Sequence, residues 1–111
     1  MALLTATRGS TTGVLLTGAA VASTDTIQAA DLGAAGAWLI IINAGASPDT
    51  VAILDGNFTP AGNAGVSAGG AVANPSTRIF YVDPKLVGVS GLVTVTHTLT
   101  AGVTYQLIPM G

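Results

Sequence analysis

The chain has no cysteine and no glutamate, a single histidine, a single tryptophan and only eight formally charged side chains in 111 residues. Each scarcity excludes something. Without cysteine there is no disulfide framework and no thiolate metal site, and cysteine usage says nothing of redox compartment. One histidine, His97, rules out a His-pair metal centre. The basic residues are Arg8, Arg78 and Lys85, scattered along the chain. Nucleic-acid binding needs clustered cations to displace phosphate counterions, and an anionic membrane surface needs a basic block, so neither partner is expected. No apolar run reaches the ~18 residues of a membrane span. The longest, Ala34 to Ile42, stops at Asn43.

What is present is apolar and β-forming. Hydrophobic residues make up 50% of the chain and charged ones 7%, against about 25% charged in an average soluble protein. A folded monomer of 10.8 kDa exposes on the order of 5,500 Å². Eight charges on that area are too few to keep small free proteins apart. Much of the surface is therefore expected to lie against neighbours, as in an assembly subunit. Net charge is −2.

Fifteen threonines and many valines favour strands, and no amphipathic helical window competes. Trp38 to Ile42 is a short continuous apolar run and reads as a buried strand, with Trp38 in the core. Asn43 to Asp49 supplies turn formers, and Thr50 to Leu54 begins the next strand, together a central hairpin. Ser23 to Asp31 reads as a strand, with a helix capped by Asp25 as the competing reading. Thr77 to Asp83 places Arg78, Phe80 and Val82 on one face and Ile79 and Tyr81 on the other. Gly91 to Thr100 alternates most cleanly, with Val93, Val95, His97 and Leu99 facing one way. Ala101-Gly102 turns it into Val103 to Pro109 as a closing hairpin.

This pattern predicts one all-β domain over residues 1–111, a β-sandwich or jelly-roll-like barrel of about eight short antiparallel strands. Residues 1–12 form an extended N-terminal arm and residues 57–75 a long Gly/Ala-rich loop around a weak strand at Val66 to Val72. A secretory leader over Met1 to Ala22 is the rival reading, with Val14-Leu15-Leu16 as its apolar stretch. Gly13, Thr17 and Gly18 dilute that run, and an arm plus a strand is preferred.

No catalytic constellation emerges. His97 in a threonine-rich strand reads as packed or hydrogen-bonded. Asp49 and Asp55, at the two ends of one strand, stand ~20 Å apart, too far for a glycosidase pair. Aspartates beside glycine and proline read as turn formers. No serine lies in G-x-S-x-G, no glycine-rich segment has the lysine of a phosphate cradle, and no D-x-D-x-D-G calcium loop is present. The chain is expected to be a non-enzyme without cofactor or metal.

Two segments carry a resemblance. Trp38-Leu-Ile-Ile-Ile-Asn43-Ala-Gly-Ala followed by Asp49-Thr50-Val51-Ala-Ile53 resembles the "l-l-v-x-N … T-V-x-I" hairpin of small β-sandwich decoration, or cement, proteins of tailed bacteriophages. Phe80-Tyr-Val-Asp83-Pro84 followed by Gly91-Leu-Val-Thr-Val-Thr-His97 is similar to their "v-x-P … G-x-v-x-v" half. Together they cover about half the chain. The resemblance implies a virion protein on the outer capsid surface, commonly a homotrimer at threefold positions, whose partner is the major capsid protein. No capsid-contacting residue carries over from the family.

The arm and the glycine-rich loop are poor in self-packing residues, which makes them the expected contact elements. Leu3, Leu4 and Arg8 are the candidates in the arm; Phe58, Asn63, Val66 and Asn74 in the loop; Arg78 in the strand that follows. Other readings remain: a tail-tube, head-fibre or head–tail connector protein, or a carbohydrate- or surface-binding sandwich with Trp38, Tyr81 and Tyr105 as a stacking platform.

Overall fold

The fold is taken from a computed structural model that describes residues 2–8, 11–13, 18–54, 68–87 and 91–110. Among the described residues nine strands form two sheets: β1 (Ala2–Leu3), β2 (Ala19–Ala20), β3 (Thr24–Gln28), β4 (Ala37–Asn43), β5 (Asp49–Leu54), β6 (Ala68–Val72), β7 (Ser76–Val82), β8 (Leu92–His97) and β9 (Val103–Pro109). A one-turn helix α1 (Ala29–Leu32) follows β3, and a 3₁₀ turn spans Pro84–Leu86.

The five-stranded sheet runs β1-β3-β8-β5-β6 and the four-stranded sheet β2-β9-β4-β7. Every strand pair is antiparallel except β1 with β3. Setting β1 aside, this is the strand order of an eight-stranded jelly roll, in which only β5 and β6 are successive strands of one sheet. The chain is an all-β sandwich, as the alternation in its sequence predicts.

Strands β4, β5 and β8 bury every second residue, and both inner faces are lined by aliphatic side chains. Ile27, Val51, Ile53, Val93 and Val95 come from one sheet and Leu39, Ile41, Phe80, Val82 and Leu107 from the other. Ser23 to Asp31 resolves into both of its predicted readings in sequence: strand β3 first, then α1. Asp25 caps nothing, because it lies inside the strand, and the residue at the helix start, Gln28, makes no side-chain cap. Gly36 (φ +87°) admits β4 to the sheet; a Cβ there would stand 2.6 Å from the carbonyl oxygen of Val82.

Three expectations are corrected. The segments β4–β5 and β8–β9 are not hairpins, since each pair has one strand in either sheet. Their connections are arches that carry the chain across the core at the same end, and they touch: Ala44 N–H donates to Gly102 C=O at 2.9 Å. Gly102 (φ +75°) must be glycine, because a Cβ would come within 2.8 Å of Gly45 Cα. Sequence alternation sets which face a side chain takes but not whether the next strand folds back beside its neighbour or crosses over it.

Trp38 is not in the core. It is 38% exposed on the outer face of β4, its ring edge-to-face with Tyr81 at 5.6 Å between centroids. The run Trp38 to Ile42 alternates in burial instead of being buried throughout, because that strand has a core on one side only.

The N-terminal arm is docked on the body. Leu4 belongs to the core at 2% exposure, and its N–H donates to Thr26 C=O at 2.8 Å. Ala6 bridges to Leu107, and Thr7 N–H donates to Leu107 C=O at 2.7 Å. The arm thus straps β3 of one sheet to β9 of the other. The weak strand expected at Val66 to Val72 is seen as β6; Val14 to Leu16 and residues 57–67 of the glycine-rich loop lie outside the described residues.

Candidate functional site

Polar chemistry gathers in one place, on the inner face of the five-stranded sheet near the two arches. Asp25 on β3, His97 on β8 and Asp49 on β5 come from three adjacent strands. The register explains the meeting: Asp25 pairs with Val95 and His97 with Val51, so both aspartates reach the imidazole diagonally. All three side chains are fully buried.

Asp49 holds three donors. Its Oδ2 accepts from His97 Nδ1–H at 2.7 Å, and its Oδ1 accepts the N–H groups of Thr98 at 3.0 Å and Leu99 at 3.1 Å. Asp25 accepts Ala22 N–H at 3.1 Å. Its Oδ2 stands 3.9 Å from His97 Nε2, and that ring nitrogen has no hydrogen-bond partner among the described residues. A buried carboxylate is tolerated only when its lone pairs are satisfied. Asp49 meets that condition by capping the start of the β8–β9 arch.

Asn43, 1% exposed at the end of β4, braces the other arch. Its Nδ2 donates to the carbonyls of Ser47 at 2.9 Å and Val72 at 3.0 Å, while its Oδ1 accepts Gly45 N–H at 2.9 Å. The side chain thus joins β4, its own arch and β6 at the end of the sandwich.

A carboxylate orienting an imidazole is half of a hydrolase constellation. Here no serine or threonine hydroxyl bonds to the ring among the described residues, and no solvent reaches it. The recess found among the described residues, about 200 Å³, is lined by Thr5, Thr7, Ala19, Tyr105 and Gln106, none of them in the cluster. Among the described residues no three His, Asp or Glu side chains are placed to hold a metal ion. The hydrogen bonds of the cluster tie the start of β5 to the end of β8 and the arch after it from inside.

Reading Asp49 as a turn former is therefore corrected: it begins a strand, faces inward and carries the histidine. The period-2 signal that could have found the pair was present, because Asp49 shares its face with Val51 and Ile53 as His97 does with Val93 and Val95. What the sequence left open was which inward strands lie side by side. Asp83 does form a turn, its carboxylate accepting Lys85 N–H at 2.9 Å. Asp55 lies outside the described residues.

The candidate contact residues are dispersed. Leu3 is exposed, Leu4 is spent on the core, and Arg8 pairs with Asp31 at 3.6 Å. Asn74 is exposed. Arg78 folds over the open side of the sandwich, donating to Ala71 C=O at 2.9 Å with its guanidinium 5.1 Å from the Phe80 ring centre. Phe58, Asn63 and Val66 lie outside the described residues.

A second region went unread in the sequence. The outer face of β7-β4-β9 is a three-by-three grid set by the register: Tyr81, Trp38, Ile108; Ile79, Ile40, Gln106; Thr77, Ile42, Thr104, of which Gln106 is buried and its Nε2 has no hydrogen-bond partner among the described residues. No Asp, Glu, Lys, Arg or His stands in it. Of the five exposed large hydrophobic residues among the described residues, Trp38, Ile79 and Tyr81 lie on this grid, Met110 follows directly after β9 and Leu3 lies elsewhere. Among the described residues no helix is long and apolar enough to cross a membrane. Set against known families, curated proteins and solved structures, the chain matches none.

Proposed function

We propose that this chain is a structural virion protein that coats the outside of a tailed-phage capsid and bridges neighbouring major capsid protein subunits. The observation that carries the reading is a chain with eight formal charges in all whose four-stranded sheet leaves Trp38, Ile79 and Tyr81 exposed on its outer face, as in an assembly subunit. Contiguous apolar surface on a small protein marks an interaction site. Jelly rolls serve viral shells as well as lectins, so the fold is compatible with the role without assigning it. A net charge of −2 suits an outer shell face better than one against packaged DNA. The resemblance at Trp38 to Ile53 carries less weight than the grid, because those residues form an arch between sheets where the family pattern has a hairpin.

Such a protein works by adding contacts across subunit boundaries and so opposing internal genome pressure. Repetition over many copies turns weak single contacts into firm attachment. Co-sedimentation of the purified chain with undecorated phage heads tests the reading. Saturable binding at a fixed ratio to the major capsid protein is expected; absence of binding at tens of micromolar contradicts it.

A carbohydrate-binding role gains one observation, the exposure of Trp38. The remaining geometry weighs against it. The Trp38 and Tyr81 rings are inclined at 64° and share no plane on which a sugar could stack. Tyr105 is in the core, its hydroxyl accepting Thr5 N–H at 2.8 Å. Titration with oligosaccharides, read by Trp38 fluorescence, separates the two.

A further inference from the structure

We infer that a second copy of this chain covers the outer face of the four-stranded sheet, the two grids packing face to face about a two-fold axis. This deepens the assembly reading by naming what lies on the grid, and it rests on that reading only in taking the chain to work as a subunit.

Three features select a second copy over other occupants. The first is charge. None of the nine grid positions is Asp, Glu, Lys, Arg or His, and Arg78, the charged residue within β7, points to the other side of the strand. A copy of the same grid therefore meets it without burying an ion, whereas a partner recognised through its charges finds nothing to pair with.

The second is area. With ~150–250 Å² for a whole aromatic side chain, the exposed fractions of Trp38 and Tyr81 offer ~150 Å² together. Ile79, 54% exposed, and Met110, 39% exposed, add a similar amount. These four residues thus supply over a third of the ~800 Å² that a standard interface takes from each partner. The half-buried Ile40, Ile42 and Ile108 widen the same patch.

The third is shape. The part of the face left open, β4 and β7 with Ile108 of β9, is sheet that an identical face matches, since sheets of equal extent stack ~10 Å apart with strands within about 30° of alignment; Gln106 of β9 is already buried within the chain. The contact is isologous and closes at two copies. The opposite outer face has no such patch. Its centre is formed by half-buried Thr24, Thr94 and Thr96 and buried Thr26, with no exposed large hydrophobic side chain among them.

Sedimentation velocity on the free chain from about 1 to 100 μM tests the inference without any shell present. A reversible shift from the 10.8 kDa monomer to twice that mass is expected. Ile79→Lys should weaken the association at least 100-fold while leaving circular dichroism and the thermal transition of the dilute monomer unchanged, since Ile79 is exposed in the single chain. Thr96→Lys, on the opposite sheet, should leave the mass unchanged. A monomer throughout the range, a trimer, or an Ile79→Lys chain that associates as tightly as the parent overturns the inference. A monomer whose Trp38 emission responds saturably to an oligosaccharide does so too. The two claims fail separately: a dimer that never binds heads removes the virion reading alone, and heads decorated by a strict monomer remove only this inference.

Discussion

The two sheets are inversions of each other. The five-stranded sheet turns its ionisable groups inward, with Asp25, His97 and Asp49 sealed in one row, and shows threonine outside. The four-stranded sheet lines the core mainly with Leu39, Ile41, Phe80, Val82 and Leu107, and its outer face is uncharged, with Trp38, Ile40, Ile42, Ile79, Tyr81 and Ile108 beside Thr77, Thr104 and Gln106. One sheet therefore resembles a surface sheet whose inside is held by hydrogen bonds. The other resembles the middle layer of a larger stack. Both are built from the same period-2 alternation, so the difference lies in which residues fill the outward positions. A strand buried on both sides reads as a continuous apolar run, which is how Trp38 to Ile42 reads. That pattern fits β4 once its outer face is covered too.

The contrast can be broken at its polar end first. Asp49→Ala removes the acceptor of His97 Nδ1, Thr98 N–H and Leu99 N–H together. It should cost about 4 kcal/mol, the range for orphaning one partner of a buried pair, read as a lowered urea midpoint. A loss under about 1 kcal/mol would mean the cluster holds nothing together. Leu39→Ala makes the comparable cut in the other sheet, at a fully buried position. It should cost about 3 kcal/mol through lost burial and a residual cavity, with hydrogen exchange rising in β4 and β7 more than in β3 and β8. Asn43→Ala should cost about 2 kcal/mol by freeing Gly45 N–H and releasing two carbonyls from their donor. Protease sensitivity at Ala44 to Pro48 checks that the loss is local to the arch.

The outer faces give the smallest stability effects and the sharpest contrast. Ile79→Lys and Thr96→Lys should each shift the unfolding free energy by under about 0.5 kcal/mol, as for ordinary surface positions. Only the first should change what the chain associates with. Equal effects of both on association would erase the distinction between the faces.

Much of this was legible in the residues. The alternation of Val93, Val95 and His97 and of Phe80 and Val82 set strand faces correctly, and Val103 to Pro109 is strand β9 as predicted. Three things were not legible. Whether Asn43 to Asp49 turns a strand back or carries it across depends on long-range pairing, and local turn chemistry is alike in both. The meeting of His97 with two aspartates depends on strand order, β3-β8-β5, which alternation does not encode. The arm at Leu4 looked free because its small neighbours have little to pack, yet one leucine, two backbone–backbone hydrogen bonds and one from Thr5 N–H to the Tyr105 hydroxyl hold it in place.

Trp38 is the sole tryptophan and stands in the middle of the surface said to need a neighbour. Its fluorescence, followed across a dilution series and again on adding undecorated heads, reports directly whether that surface becomes covered. A solvent-exposed emission at high dilution that moves to the blue as copies or heads are added is the predicted result. An emission that stays at its dilute position under both conditions would contradict the account.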